Sequence, residues 1–151
     1  MKPNSANLVL QQAAATCAAH KVGLTDALSD LEQRHLTPAD IDHPGKEDRR
    51  LLDQFAYRYT RLQDDMGARL MPAILRALGE EITAMPAIDR LNRLEQLGWL
   101  PSAEEWTEPR RIRNEFTHEY PEAGQERFHA CSLPLQVPAG YWKSCPFLLE
   151  S

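Results

Sequence analysis

Apolar residues recur at steps of three and four along most of this chain, which is the period of an amphipathic helix and not the alternation of a strand. The first such stripe predicts a helix over residues 5–34, with Gly23 as a place where it bends or divides. A second, heptad-like stripe predicts a helix from about residue 47 to residue 78. Pro72 lies inside this second helix and should kink it.

Prolines and glycines mark the ends of these segments. The connector over residues 35–46 contains Thr37-Pro38, which predicts a short turn. Pro86 begins a third helix, and Gly98 ends it. No strand alternation occurs before residue 130, so the predicted fold is all-α: an antiparallel up-and-down four-helix bundle.

The fourth helix is predicted from its capping residues. Ser102 and Glu105 have the spacing of a capping box, and Pro121 stops the helix. Pro109 then falls inside the helix, where a proline removes one backbone hydrogen bond and costs roughly 3 kcal/mol. We expect Pro109 to shift the turn that follows it relative to the other helices.

The end of the chain has a different composition. Between residues 129 and 149 the only formally charged residue is Lys143, and no helical stripe is present. The chain is therefore predicted to consist of a helical bundle over residues 1–127 and an atypical, non-helical C-terminal tail over residues 128–151.

Length and charge limit what the chain can do. Its 151 residues suffice for one domain with a real core. A net charge of −5 argues against a sequence-independent grip on nucleic acid, so any RNA contact needs a local basic patch. The lack of an apolar run of roughly 18 residues, and of a leucine-rich signal core, predicts no contact with the membrane. Three cysteines without metal-like spacing fit a reducing compartment, which predicts a cytoplasmic protein.

Six polar residues that are capable of chemistry cluster on the predicted fourth helix. They are Arg110, Arg111, Arg113, Asn114, His118 and Tyr120. At 100° per residue, Asn114 and His118 share one stripe with Arg111, and Arg113 and Tyr120 share the neighbouring stripe with Arg110. The remaining side of the helix is predicted to pack against the core. It carries Trp106, Pro109, Ile112 and Phe116.

The segment from Arg113 to Tyr120 resembles the R-x4-H-x-Y signature of HepT-type toxins, within the HEPN domain family. Residues 89–98 and 102–106 resemble the third and fourth helices of that family, and residues 59–64 its second, so the resemblance covers roughly residues 5–127. The spacing R-x4-H alone is a weak signature, but the adjacent asparagine and the following tyrosine make it more specific.

The resemblance implies a metal-independent endoribonuclease that is the toxin component of a toxin–antitoxin system. It implies a homodimer in which the motifs of the two subunits face each other. It also implies a minimal nucleotidyltransferase as the antitoxin partner, which silences the toxin by adenylylating Tyr120.

The residue types suit cleavage of RNA without a cofactor. A histidine can take the proton from a 2′-hydroxyl or protonate the leaving 5′-oxygen, which assigns His118 as acid/base. Arg113 is assigned as the clamp on the phosphorane, and Asn114 as the group that orients the phosphate or the imidazole. Arg110 and Arg111 are candidate RNA-binding residues. The motif has one histidine per chain, which leaves the complementary acid or base unsupplied, and a two-fold dimer would provide it. Neither a glycine-rich phosphate loop nor a metal-ligand spacing is present.

Other interpretations stay open. His118 suits the C-terminal dipole of a helix, and Tyr120 suits a packed aromatic position. Arg110 and Arg111 suit a solvated surface or ion pairs with Glu105, Glu108 or Glu115. Arg61, Asp64 and Asp65 of the second predicted helix are within reach of the motif across the bundle, with ion pairs as the favoured interpretation. His20, His35, His43 and His129 are interpreted as surface or loop residues. The alternative function is a non-catalytic partner or substrate-binding subunit of a minimal nucleotidyltransferase, and the third is a helical interaction module.

Overall fold

The structure, a computed structural model, describes residues 4–117, and every regular element in this part of the chain is helical. The elements are α1 (Ser5–Arg34), α2 (Pro38–Asp42), α3 (Lys46–Asp65), a π-helical segment (Met66–Leu70), α4 (Met71–Ala77), α5 (Ala87–Gln96) and α6 (Thr107–Thr117). The prediction of a helical protein is confirmed over this range, whereas residues 118–151, with the predicted tail, lie outside it.

The first predicted helix is confirmed, but it neither bends nor divides at Gly23. α1 runs unbroken from residue 5 to residue 34. Gly23 instead allows Arg58 of α3 to approach α1 closely, since a Cβ at Gly23 would lie 2.6 Å from Nε of Arg58. The missing side chain therefore lets an arginine of α3 lie directly across α1.

The second predicted helix is divided by a widened turn in place of a simple kink. α3 and α4 are joined by the π segment, whose last turn is closed by a hydrogen bond from the N–H of Met71 to the carbonyl of Met66. Pro72 follows immediately. A proline lacks an N–H, and its ring collides with the carbonyl four residues earlier in an α-helix, so a wider preceding turn accommodates it.

The fourth predicted helix starts later than its capping residues indicated. The hydroxyl of Ser102 accepts a hydrogen bond from the N–H of Glu105 at 3.2 Å, but residues 103–106 form turns and α6 begins at Thr107. Pro109 is therefore the third residue of α6. The N–H groups of a first turn have no acceptor inside the helix, so the expected loss of a hydrogen bond at Pro109 was wrong.

The core forms where α3, the π segment and α4 pack along α1 and where α6 packs against α3. Phe55, Tyr59 and Leu62 of α3 and Ile112 of α6 are almost completely buried. The predicted apolar side of α6 is confirmed, because Trp106 and Pro109 are buried as well and Phe116 packs against the aromatic rings of α3. Burial of this side fixes the rotation of α6 and turns Arg110 and Arg113 toward the end of α3.

α5 lies against α4 and contributes less to the core. Leu94 is buried there, and Leu91 and Leu97 are partly buried. Ile88, in the first turn of α5, is 58% exposed. Gly98 ends this region with a φ of +79°, a conformation that glycine adopts without strain.

Candidate functional site

Arg113 is held by Asp64 in a bidentate ion pair. Its Nε donates to Oδ1 of the carboxylate at 2.8 Å, and its Nη2 donates to Oδ2 at 2.9 Å. Asp64 is the penultimate residue of α3, so the pair ties the middle of α6 to the end of α3 just before the π segment. The planar guanidinium matches a carboxylate in this two-bond geometry, which fixes the direction of the arginine.

Arg110 binds the same carboxylate from one turn earlier on α6. Its Nη1 donates to Oδ1 of Asp64 at 3.0 Å. The hydrogen bond from Arg113, together with the charges of both arginines, lowers the pKa of Asp64 against the opposing effect of desolvation. Asp64 is therefore ionised at neutral pH. An ion pair was the favoured interpretation for Asp64, and the structure contains one. Arg110 was expected to be solvated or to pair with nearby glutamates, and its ion pair here is with this aspartate of α3.

Arg111 makes its ion pairs within α6. Its Nη2 and Nε donate to the carboxylate of Glu108 at 2.8 and 3.2 Å, and its Nη1 donates to Glu115 at 3.3 Å. These are the glutamate partners that the sequence suggested. The positive charge of Arg111 is thus balanced on the surface of the helix, which separates it from Arg110 and Arg113.

Asn114 lies beside the motif arginine. Its Oδ1 accepts a hydrogen bond from Nη1 of Arg113 at 3.3 Å, so two of the three predicted catalytic residues are in contact. The third, His118, lies outside the described residues, and so does Tyr120. Their positions relative to Arg113 stay a prediction.

A groove of about 410 Å³ opens next to Arg113 and Arg110. We call it the arginine groove. The charged residues that line it are Arg90, Arg110, Arg113 and Asp64, which gives three positive charges and one negative charge. Most of the remaining lining is apolar and comes from the π segment, α4, α5 and Trp106. The groove is therefore a local basic patch in an acidic chain.

Arg90 of α5 was not among the predicted site residues. Its Nε donates to the carbonyl of Met85 and its Nη2 to the carbonyl of Ile82, both at 3.0 Å. Carbonyl oxygens carry no net charge, so these bonds orient the guanidinium without neutralising it. No feature of the local sequence identified Arg90, because its place in the groove depends on how α5 packs against α4.

His20 was interpreted as a surface residue, and this was wrong, because it is only 8% exposed. Its Nδ1 lies 3.1 Å from Nη1 of Arg58, and its Nε2 lies 3.2 Å from Oδ2 of the buried Asp65. An arginine only donates, so Nδ1 is the acceptor and the proton of the neutral ring is on Nε2, facing Asp65. Burial lowers the pKa of His20, and the charge of Asp65 opposes that effect. The spacing of His20 from Cys17 and Leu24, three and four residues, was the sequence signal for its burial.

His35 and His43, by contrast, are exposed as predicted. Within residues 4–117 no group of three or more histidine, cysteine, aspartate or glutamate side chains is placed to hold a metal ion. In the same range, none of the helices combines the length and the apolar character that crossing a membrane requires. Comparison with known proteins finds no family model, no curated protein and no solved structure that matches this chain.

Proposed function

We propose that this protein is a metal-independent endoribonuclease of the HepT-like HEPN type, with the four-helix bundle of that family as its fold and a role as the toxin of a toxin–antitoxin pair. The observation that carries the proposal is the contact between Arg113 and Asn114 at the edge of the arginine groove. An acidic chain needs such a local basic site if it is to hold RNA.

The bonds of Arg113 leave room for a phosphate. A guanidinium has five N–H groups. Two of them bond to Asp64 and one bonds to Asn114, which leaves two donors on Nη1 and Nη2. Arg113 can therefore bind phosphate oxygens while Asp64 keeps it in place, and such a preorganised donor stabilises the charge that develops on a phosphorane.

The other roles follow the sequence motif. His118 would act as acid/base, Asn114 would orient the phosphate or the imidazole, and Arg110 and Arg111 would contact the RNA. A homodimer would bring a second His118 to the same cleft and supply the complementary proton-transfer group. Tyr120 would be the residue that a minimal nucleotidyltransferase adenylylates. The reaction itself needs no cofactor.

Cleavage of labelled RNA by the purified protein in the presence of EDTA tests the proposal. We expect Arg113→Ala to reduce cleavage by about 100- to 1,000-fold through lost charge stabilisation. We expect His118→Ala to reduce it by about 100- to 10,000-fold through lost proton transfer. Arg50→Ala is the matched control, since Arg50 is an exposed arginine of α3 that pairs only with Glu47 in its own helix. Equal cleavage by the parent and His118→Ala would contradict the proposed chemistry.

The dimer is tested separately by measuring the size of the protein in solution. We expect a homodimer at micromolar concentration, because a single chain carries one motif histidine. A protein that stays a monomer under these conditions would remove the source of the second proton-transfer group.

A second candidate function is a non-catalytic partner or substrate-binding subunit of a minimal nucleotidyltransferase. The bidentate ion pair with Asp64 favours it, because it gives Arg113 a structural role that needs no catalysis. The EDTA cleavage assay separates the two candidates. A parent protein that forms a stable complex with a minimal nucleotidyltransferase but cleaves no RNA would favour the second.

A further inference from the structure

We infer that the arginine groove binds one unpaired nucleotide of the RNA, with the base on the apolar floor and the adjoining phosphate at the arginines. The inference rests on the proposed function in taking RNA as the ligand. It goes further by adding a base-binding subsite next to the phosphate site of Arg113.

Most of the groove lining is apolar, and we call this part its floor; it suits a mostly apolar group. Its volume of about 410 Å³ lies within the range of roughly 300–1,000 Å³ that is usual for small-ligand sites. Met71 and Leu91 line it together with Trp106. Unpaired bases bind proteins by lying against aromatic rings and guanidinium planes, and this floor adjoins both kinds of group.

The π segment opens the groove at Gly67. A Cβ on this residue would lie 3.9 Å from Cζ2 of Trp106, so a longer side chain would project into the space beside the indole. Because Gly67 has no side chain, the backbone of the π segment forms part of the groove wall. The base would occupy the space that a side chain at position 67 would fill, so a larger residue there should block the site.

The charges at the rim suit a single phosphate. Arg90 uses two of its five N–H groups on carbonyls, and Arg110 uses one on Asp64. These two arginines and Arg113 keep further N–H donors, and the groove that all three line contains one carboxylate of opposite sign, that of Asp64. A phosphate can thus bond to the outer N–H groups while the ion pairs with Asp64 persist.

The ligand is an unpaired nucleotide and not a duplex. The site needs the face of a base to reach the apolar floor, and bases inside an A-form helix are stacked and offer only their edges. Single-stranded loops and ends expose base faces. The subsite therefore selects unpaired RNA.

Calorimetric titration of the full-length protein with AMP, adenosine and inorganic phosphate tests the subsite directly. We expect AMP to bind at least tenfold more tightly than either adenosine or phosphate, because only AMP engages both the floor and the arginines. Gly67→Leu should weaken AMP binding at least tenfold and leave phosphate binding unchanged. This variant removes no polar contact and replaces a helical glycine by a better helix former. Gly45→Leu is the control, since a Cβ at Gly45 meets nothing within 4 Å.

Equal affinities of the parent protein for AMP and phosphate would overturn the inference, and this comparison does not depend on any variant folding. Unchanged AMP binding by a folded Gly67→Leu protein would overturn it as well. RNA cleavage in EDTA without AMP binding would contradict the proposed subsite but not the proposed ribonuclease function. AMP binding without RNA cleavage would support the subsite and contradict the proposed ribonuclease function.

Discussion

At the scale of single residues, Asp64 determines how the arginines of α6 are presented. One carboxylate accepts three hydrogen bonds from Arg110 and Arg113. A long arginine side chain in water samples many rotamers, and fixing it costs conformational entropy. The ion pair with Asp64 fixes the side chain of Arg113 when the protein folds, so ligand binding does not have to restrict it further. The motif arginine is thus preorganised, although part of its hydrogen-bonding capacity is already used.

Asp64→Asn tests the strength of this contact. The two paired side chains are 31% and 23% exposed, so the pair lies between an exposed pair, worth about 0–1 kcal/mol, and a fully buried one, whose disruption costs about 3–5 kcal/mol. We expect the substitution to lower the free energy of unfolding by about 1–2 kcal/mol at pH 7, as measured by urea denaturation. Asp53→Asn, at an exposed position of α3, should change it by less than about 0.5 kcal/mol.

The difference in the free energy of unfolding between the parent and Asp64→Asn should depend on pH in one direction. The pKa of Asp64 is lowered in the folded state by its bonds to Arg113 and Arg110. The stabilisation is therefore complete above the ordinary pKa of 3.8 and is lost as the pH falls through the lower folded-state pKa. Urea denaturation of the parent and of Asp64→Asn at pH 7 and at several values below 4 should show the two converging in acid. A difference that stays constant across this range would show that the ion pair is not its source.

At the scale of the helices, the position at which α6 begins determines how far Pro109 destabilises it. Pro109 lies in the first turn of the helix, where its missing N–H removes no bond. Its carbonyl is in use, since the hydroxyl of the buried Tyr59 donates to it at 3.1 Å. The proline thus fixes the entry of α6 onto α3 and does not disturb the motif one turn later.

Pro109→Ala provides the test. No helix hydrogen bond is recovered and the carbonyl that Tyr59 contacts is retained, so we expect the free energy of unfolding to change by less than about 1 kcal/mol. A proline in a helix interior would predict a gain of roughly 3 kcal/mol on replacement by alanine. Tyr59→Phe is the companion variant, which should lose about 1 kcal/mol with the hydrogen bond. If urea denaturation showed that Pro109→Ala raises the free energy of unfolding by roughly 3 kcal/mol, α6 would begin earlier than Thr107.

The helical period predicted much of the fold because the apolar stripes and the buried positions coincide along α1 and α3. The start of α6 was misplaced because the bond from Glu105 to Ser102 forms equally well in a turn and in a helix. The sequence favoured an ion pair for Asp64, but its partners Arg110 and Arg113 became evident only from the packing of α6 against α3. Arg90 could not be found in this way, since local periodicity does not describe the packing of α5.

At the scale of the whole molecule, the distribution of charge matters more than its sum. The chain carries a net charge of −5, yet the arginine groove carries more positive than negative charge. A net negative charge repels RNA on average, so a local basic site such as this groove favours binding there. Binding should therefore be local and should release few counterions.

This distribution predicts a shallow dependence of RNA binding on salt. For single strands the slope of log affinity against log salt is about −0.7 per neutralised phosphate, so contact with two or three phosphates gives a slope of about −1.4 to −2.1. Dissociation constants of a short single-stranded RNA over a series of KCl concentrations measure it. Arg110→Ala should make the slope shallower by about 0.7. A parent slope steeper than about −4 would point to an extended basic surface elsewhere on the chain.

The π segment also bears on which changes in chain length the protein can tolerate. A turn closed over five residues holds one residue more than an α-helical turn, so the segment is equivalent to a single inserted residue between α3 and α4. Deleting Ala68 should restore the α-helical turn and keep both flanking helices facing α1 as before. Pro72 would then lie inside an uninterrupted α-helix, where its ring meets the carbonyl four residues earlier. We therefore expect the deletion to unfold the protein in a wild-type background and to be tolerated together with Pro72→Ala. The extra residue and the proline would then be gained or lost in evolution only as a pair.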